Sequence, residues 1–166
     1  MNAFHCQYQQ GADGTVFREV VGHFLSGVTV VTTDDGSRYG VTASAVSSLS
    51  LDPPMVLVCL NQKLATVDAI RRAGHFAVNI LGSQHAALAA QFAVPHPDKF
   101  RDVDVQYGAS GSPLIVEALA QIECAVAEVV PAATHTIVLG RVVTARARPG
   151  DPLAYFRGQF GQFVNA

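Results

Sequence analysis

The sequence predicts a mainly β protein, a β-barrel with short helices, from three observations. Apolar runs of strand length recur along the chain, some alternating and some continuous. Turn signals such as Asp35-Gly36 separate neighbouring runs and predict hairpins. No G-x-G-x-x-G motif follows a strand, so a Rossmann dinucleotide site is not indicated. The length of 166 residues suits one domain with a sizeable core.

Composition and charge narrow the expected partners. The net charge is −2 and charged residues make up only 14%, without the clustered Lys and Arg that nucleic-acid binding requires. We therefore expect no nucleic-acid partner. Nearly half of the residues (49%) are apolar. Because monomers seldom expose large apolar patches, we expect a second subunit to cover part of the surface.

The cysteines and the apolar runs predict a location. Cys6, Cys59 and Cys124 are odd in number and far apart, and no CxxC spacing indicates zinc or redox chemistry. The histidines have no metal-ligand spacing either, so we expect no metal site. No basic leader precedes an apolar segment, and no apolar run approaches the roughly 20 residues that span a bilayer. The expectation is a cytoplasmic protein with reduced thiols and no membrane segment.

The N-terminal third predicts an arm, a helix and a hairpin. Residues 1–14 have little periodicity and are expected to form a flexible arm, with the folded domain at 15–166. Thr15 can cap a helix that runs to Leu25 and ends at Gly27. Residues 28–33 then alternate as a strand, and the Asp35-Gly36 turn leads into a strand that begins at Arg38.

The central stretch, residues 40–61, is the most informative part of the chain. Its first half is a predicted strand of small and hydroxyl side chains, which leave room for a flat ligand held by main-chain N–H groups and hydroxyls. A tightly packed barrel interior explains the same pattern equally well. After Pro53-Pro54, residues 55–60 form a continuous apolar run that predicts a strand buried on both faces.

An anion site is predicted directly after this stretch. Thr66 is a plausible N-cap for a short helix that ends before Gly74, and the first N–H groups of a helix lack partners within it. Lys63 adds a positive charge beside that helix end. The site suits a phosphate, although an ordinary exposed loop lysine is a serious alternative for Lys63.

The remaining sequence predicts one more helix and three strands. Residues 75–81 form a buried strand, Ser83 caps a helix to Phe92, and residues 94–112 are loop-rich and suit a lid or a subunit contact. Strands follow at 120–130 and 134–148, with a turn beginning at Pro131. Asp151-Pro152 breaks the last strand before the tail at 153–160.

In its order of motifs, the chain resembles the flavin reductase family of FMN-binding split barrels, which reduce flavin for two-component monooxygenases. The resemblance covers about residues 15–165. It rests on SGVTVVTT (26–33), GVTASAVSSLSLDPPMVLVCLN (40–61), HFAVNIL (75–81), QFA with a later DKF (91–93, 98–100), HTIVLGRV (135–142) and PLAYFRGQF (152–160). It implies a Greek-key-like split barrel, a homodimer with flavin near the subunit interface, FMN or FAD as flavin, NADH or NADPH as electron donor, and a partner monooxygenase.

The resemblance also implies site residues. The small-residue strand would contact the flavin ring and ribityl chain, the next segment its phosphate, and the motif near residue 91 further parts of the flavin. These residues are Thr42, Ala43, Ser44, Ala45, Val46, Ser48 and Leu49 for the ring, Lys63, Leu64, Ala65 and Thr66 for the phosphate, and Gln91 and Phe92. His135 would stand near the nicotinamide, and Arg157, Gly158, Gln159 and Phe160 would meet the pyridine nucleotide.

Two departures from the family pattern bear on that assignment. Family members often read GDH where this chain has Ala133-Thr134-His135, and Ser where it has Ala65. Because a neutral imidazole can both donate and accept, His135 is as readily a hydrogen-bonded barrel histidine as a nicotinamide-positioning residue. Arg157 can pair with a nucleotide phosphate or bridge two subunits.

Three functions remain open from the sequence. The first is an NAD(P)H-dependent flavin reductase in which hydride passes directly between the cofactors, so that His135 aligns rings rather than supplies a proton. The second is a flavin-binding barrel that stores or senses flavin without catalysis. The third is a related barrel oxidase acting on a phosphorylated small molecule, which would need more basic residues than the chain offers.

Overall fold

The computed structural model describes residues 11–164, and within them the chain is a β-barrel with short helices, as predicted. The helices are α1 (Gly14–Val21), α2 (Ala65–Ala73) and α3 (Ala86–Ala93), with a 3-10 turn at Ser83–His85 before α3. The strands are β1 (Ser26–Gly27), β2 (Thr29–Asp34), β3 (Arg38–Ala43), β4 (Val46–Leu51), β5 (Pro54–Asn61), β6 (His75–Ile80), β7 (Val105–Tyr107), β8 (Pro113–Ile115), β9 (Ala120–Ala132), β10 (His135–Ala147), β11 (Leu153–Phe156) and β12 (Gln159–Gln162).

Seven strands form the main antiparallel sheet in the order β3-β2-β6-β9-β10-β5-β4. Its two edges, β3 and β4, are consecutive in the chain and are joined by the Ser44-Ala45 corner. The Cys59 N–H donates to the Ala45 carbonyl at 2.9 Å, which ties this corner to β5. The sheet therefore curls into a barrel that closes where the small side chains lie. A second sheet, β1-β11-β12, carries the C-terminal hairpin.

Two apolar clusters hold the barrel and its helices together. The first fills the barrel under α2 and includes Val58, Ile70 and Phe76, all without exposed surface. The second lies between β2, α3 and the residues 100–118, and is centred on Phe92. Phe92 and Phe100 pack edge to face with their ring centroids 5.0 Å apart. The two helices α2 and α3 are thus each anchored by a separate apolar cluster.

The helix boundaries differ from the predicted ones for a common reason, the choice of cap. Asp13, predicted to lie in the arm, caps α1, because its carboxylate accepts hydrogen bonds from the N–H groups of Thr15 (2.8 Å) and Val16 (3.2 Å). The helix ends at Gly22 rather than Gly27. Thr66 is buried inside α2 and does not cap it; Leu64 holds the cap position without a side-chain hydrogen bond. Gly74 ends α2 with a left-handed φ of 72°, as predicted.

Three strand predictions need correction. The small-residue segment is two strands, since the chain turns at Ser44-Ala45 to pass from one sheet edge to the other. β5 is buried on one face only, while Met55, Leu57 and Cys59 on the other face are half-buried. Pro131 lies within β9 opposite Thr136. This half of β9 pairs only with β10, so a missing N–H is tolerated there.

The other predictions of local structure fare better, with small shifts. β2 and β3 form the hairpin expected from Asp35-Gly36, and β6 and β10 lie close to their predicted ranges. Ser83 begins a 3-10 turn, and the α-helix itself starts at Ala86. The loop-rich segment at 94–112 contains the short strand β7. Residues 1–10 of the predicted arm lie outside the described residues. Among the helices at 11–164, none has the length and apolar character needed to cross a membrane.

Candidate functional site

Three cavities adjoin one another along β3 and its closing corner. The largest, of about 860 Å³, lies between the start of α2 and the loop at residues 93–100. A cavity of about 430 Å³ shares Ala93 with it, and a third, of about 590 Å³, shares Ser44, Tyr155 and Gly158 with the second. We call them the α2 cavity, the middle cavity and the α1 cavity. Together they line up the start of α2, the small-residue corner and the C-terminal hairpin.

The α2 cavity contains the predicted anion site. Lys63, Leu64, Ala65 and Thr66 line it. The turn before α2 is shaped by Asn61, whose side-chain oxygen accepts from the Lys63 N–H at 3.0 Å and whose carbonyl accepts from the Leu64 N–H at 3.1 Å. The Val67 N–H donates to the Leu64 carbonyl at 2.9 Å, but no side chain caps α2, so the N–H groups of Ala65 and Thr66 remain available at this wall.

Charge in the α2 cavity is biased towards cations. Arg38, Lys63 and Lys99 line it, against one carboxylate, Asp98. The Lys99 ammonium donates to the Gly40 carbonyl at 3.2 Å and to the Phe92 carbonyl at 3.0 Å, and its partial burial lowers the pKa of the amine. Sequence reasoning assigned no role to Arg38 or Lys99, although Lys99 belongs to the DKF motif. The cavity fits a group that carries negative charge.

Gln91 and Phe92 support the wall of the α2 cavity. The Gln91 amide donates to the carbonyls of Lys99 (2.8 Å) and Arg101 (3.0 Å), so it fastens the loop that forms one cavity wall. Phe92 is fully buried against Phe100, so its side chain supports the cavity wall and is not exposed in it. Glycine is required at position 40, because a Cβ there would lie 2.6 Å from Phe92 Cδ1.

The middle cavity is lined by small and apolar side chains. Thr42 and Ser44 form one wall, Ala90, Ala93 and Val94 of the α3 region another, and Tyr155 and Phe160 of the hairpin a third. The Thr42 hydroxyl already donates to the Ala89 carbonyl at 2.6 Å, so this residue fixes α3 against β3. A flat apolar ring suits such a lining, since nothing bulky projects from the strand side.

The predicted ring residues are not all brought together. Ala43 is buried in the barrel core, and Val46 packs against that core from β4. Ser48 and Leu49 are exposed on β4, where Leu49 lies at a bulge between Ser48 and Ser50. Only Thr42, Ser44 and Ala45 line the middle and α1 cavities. The break at the corner separates the small residues into a group at the cavities and a group on the outer edge strand.

The α1 cavity lies between α1 and the turn of the C-terminal hairpin. Arg157 and Gly158 form that turn, with φ values of 48° and 82°, as in a type I′ turn. Gly158 lines both the α1 and the middle cavity, Phe160 lines the middle cavity, and Gln159 pairs with Phe156 at the start of β12. Arg18 and Glu19 of α1 complete the charged lining.

His135 lies apart from these cavities. It is exposed at the start of β10, opposite Asn61 of β5, and its Nδ1 lies 3.0 Å from the Thr134 hydroxyl. It lines none of the three cavities of the chain. Within residues 11–164 no cluster of three or more His, Cys, Asp or Glu side chains suits a metal ion.

Comparisons with known proteins identify the family of this chain. Residues 21–163 match the family model of the flavin reductase like domain. The reductase component of 4-nitrophenol 4-monooxygenase/4-nitrocatechol 2-monooxygenase from Rhodococcus opacus is 54% identical over 93% of this chain and 84% of that relative. A flavin reductase (NADH) from Kitasatospora aureofaciens is 41% identical, covering 91% and 82%.

A solved structure extends the similarity to three dimensions. The NADH:FAD oxidoreductase SgcE6 of Streptomyces globisporus C-1027, in complex with NAD and FAD fragments, superposes with a TM-score of 0.87 at 36% identity, covering 92% of this chain and 93% of that one. With a family match over most of its length and relatives above 30% identity, the chain belongs to the flavin reductase family.

Proposed function

We propose that this chain is an NAD(P)H:flavin oxidoreductase that reduces FMN or FAD and supplies the reduced flavin to a partner monooxygenase. The observation that carries the proposal is the series of adjoining cavities, cationic at α2, small-walled at the corner and cationic again at α1. Bound together, the two groups would supply the chemistry, a hydride transfer from nicotinamide to flavin. The task of the chain is to hold and align the two groups.

The residues divide between the two groups as follows. Lys63 and the first-turn amides of α2, at Ala65 and Thr66, would hold the flavin phosphate, and Leu64 would pack beside it. Thr42, Ser44 and Ala45 would face the ring. Gln91 would act by holding the loop at 93–101 in place. Arg157, Gly158, Gln159 and Phe160 would meet the pyridine nucleotide, with Arg157 as its phosphate ligand.

The partner proposed is a monooxygenase that acts on a phenolic compound. The support is the relative of 54% identity, which carries the name of a nitrophenol monooxygenase reductase component. Reduced flavin is a diffusible product that such an oxygenase consumes. We also propose a cytoplasmic location, because NAD(P)H must be supplied there and the chain carries free thiols at Cys59 and Cys124.

A homodimer is part of the proposal, and α1 is its main support. No residue of α1 is buried, although Val16, Phe17 and Val20 are apolar, and Phe17 is 61% exposed. Phe24, just beyond the helix, is 76% exposed. The half-buried outer face of β5 and exposed Leu51 add further apolar surface. A second copy of the chain is the occupant that would cover this surface and bring His135, Ser48 and Leu49 to a neighbouring flavin.

The direct test is anaerobic reduction of flavin. Purified protein is mixed with FMN or FAD and with NADH or NADPH. The absorbance near 450 nm is then followed, because oxidised flavin absorbs strongly there, whereas reduced flavin and the nicotinamide nucleotides do not. We expect bleaching with at least one pair. No bleaching with any of the four pairs would overturn the proposal, and a yellow protein without response to either nucleotide would establish the storage function instead.

The phosphate site has its own test. Lys63→Met should weaken flavin binding by about tenfold, since a charge-assisted hydrogen bond is lost. Arg141→Met is the matched control, because Arg141 is exposed on β10 and lines neither charged cavity. Fluorescence titration of FMN into both variants measures the effect. Equal affinities would return Lys63 to the status of an ordinary loop lysine.

A further inference from the structure

Arg18 occupies the last turn of α1 and lines the α1 cavity together with Arg157. Several other arginines are engaged: Arg71 pairs with Asp68, Arg72 with Asp35, and Arg38 stacks over the Phe100 ring at 5.0 Å. Within residues 11–164, neither Arg18 nor Arg157 has a side-chain hydrogen bond or an ion pair with a carboxylate. Two guanidinium groups thus line one cavity of about 590 Å³ without protein partners.

A short set of contacts brings these two residues together. The Arg157 N–H donates to the Gly22 carbonyl at 3.0 Å, which fastens the hairpin turn to the end of α1. His23 packs edge-on against Phe156 with 6.1 Å between ring centroids, and its Nδ1 lies 2.9 Å from the Glu19 carbonyl. The end of α1 and the turn of the hairpin therefore behave as one unit that lines the cavity from two sides.

The backbone conformation at Arg157 does not favour an arginine side chain. Its φ of 48° lies in the left-handed region, where Asn, Asp or Gly is favoured and a long side chain is costly. We therefore expect arginine at this position to lower the stability of the hairpin relative to asparagine or glycine. Such a cost is consistent with a ligand contact, and the cavity supplies the place for it.

We infer that Arg18 is a second nucleotide-binding residue, which with Arg157 holds the pyrophosphate of NADH or NADPH in the α1 cavity. The inference rests on the proposed function. Two guanidiniums against the single carboxylate of Glu19 leave the lining net positive, and arginine binds phosphate oxygens through paired N–H groups. Ser44 and Ala45 form the same cavity wall, so a dinucleotide anchored there adjoins the small-residue corner at which the ring would lie.

Arg18→Gln in the full chain tests the inference through the split between KM and kcat. We expect the KM for the nucleotide to rise about tenfold, with kcat within about twofold and flavin affinity unchanged. ADP-ribose carries the pyrophosphate without the nicotinamide, so its inhibition constant should rise by the same factor. Arg18→Lys should recover part of the loss, because it restores the charge without the paired donors.

Arg141→Gln is the control for a lost positive charge, since Arg141 lies outside the α1 cavity, and it should leave the nucleotide KM unchanged. Light scattering of both variants reports the oligomeric state. A KM and an ADP-ribose constant equal to those of the wild type would overturn the inference, as would a loss explained by dissociation of the dimer. A wild-type protein that oxidises neither nucleotide would instead refute the proposed function, so the two failures are distinguishable.

Discussion

The two short helices at the ends of the cavity series differ in how the chain supports them. α2 buries Val67, Ala69 and Ile70 in the barrel core, and Arg72 pairs with Asp35 across to the β2–β3 turn. α1 buries none of its residues and is tied to the rest of the described chain through Arg157 and the His23–Phe156 contact. Both helices have apolar residues at helical spacing, yet only those of α2 pack against other residues of the described chain.

The two cavities at these helices therefore differ in how firmly their walls are held within one chain. The α2 cavity is walled by a loop that Gln91 and Lys99 hold with four hydrogen bonds to backbone carbonyls. The α1 cavity is walled by a helix whose apolar side is exposed. The α2 cavity is therefore walled within one chain, whereas the α1 cavity borders an exposed apolar surface that the proposed second copy would cover. Variants at the two ends should accordingly fail in different ways.

Removing a core side chain from α2 should have the largest effect on stability. Ile70→Ala deletes a side chain without exposed surface and should lower the free energy of unfolding by about 3 kcal/mol. The matched change in α1 is Val20→Ala, at a residue that is 60% exposed. Urea unfolding at low protein concentration should show less than about 0.5 kcal/mol for it. Equal losses would mean that α1 is as well packed within one chain as α2.

Crowding the loop wall of the α2 cavity should come next. Gly40→Ala places a methyl group against the Phe92 ring and should destabilise the protein by about 2 kcal/mol. Because Phe92 packs on Phe100, the loop should shift and the affinity for FMN should fall as well. Gly27→Ala, where a Cβ meets nothing within 4 Å, is the control. Stability lost without any change in FMN affinity would show that the loop does not shape the flavin site.

A charge on α1 should act on association rather than on folding. Phe17→Glu places a carboxylate on the exposed apolar side of α1, and burying it in a subunit interface is costly. We expect the dimer dissociation constant to rise at least tenfold, which corresponds to a loss of about 1.4 kcal/mol in the free energy of association. The free energy of unfolding of the monomer should change little. Sedimentation across a concentration series measures it. A variant that dimerises like the wild type would place the interface elsewhere.

Local features of the fold could be predicted from the sequence, and features that depend on distant strands could not. The presence of α2, its end at Gly74 and the position of Lys63 beside the start of the helix could be predicted from local signals, although the cap residue could not. The corner at Ser44-Ala45 could not be predicted, since it exists only because β3 and β4 lie at opposite edges of a closing sheet. Arg18 and Lys99 were missed for a similar reason: the Arg18 site needs a hairpin more than 130 residues away. Phe92 lies next to a cavity-forming loop, and the sequence could not distinguish supporting the site from touching it.

A histidine at the base of the hairpin should make stability depend on pH. His85 is buried beside Glu117 and Arg148, its Nδ1 accepts from the Gly82 N–H at 3.1 Å, and burial lowers the pKa of its ring, with Glu117 opposing this. The neutral ring is thus favoured in the folded state. The stability that His85 contributes is therefore fully present above the pKa of the unfolded state, about 6.5, and is lost as the pH falls towards the lower pKa of the folded state.

Unfolding midpoints measured between about pH 7.5 and 5 should therefore fall on the acid side in the wild type. His85→Asn keeps an acceptor near the Gly82 N–H and removes the titration, so its profile should be flatter over this range. The Ser83 N–H donates to the Asp151 carbonyl at 2.8 Å, which joins this turn to the hairpin that serves the α1 end. A variant with the same acid slope as the wild type would assign the slope to other groups.

The smallest effect should be a gain in stability at the α1 end, from Arg157→Asn. Asparagine tolerates the left-handed backbone of the turn better than arginine does, so the free energy of unfolding should rise by about 0.5 kcal/mol. The same change removes a guanidinium from the α1 cavity, so the KM for the nucleotide should rise while the protein becomes more stable. If Arg157 served only the fold or a subunit contact, its replacement would leave the KM for the nucleotide unchanged. That result would contradict a nucleotide contact by Arg157.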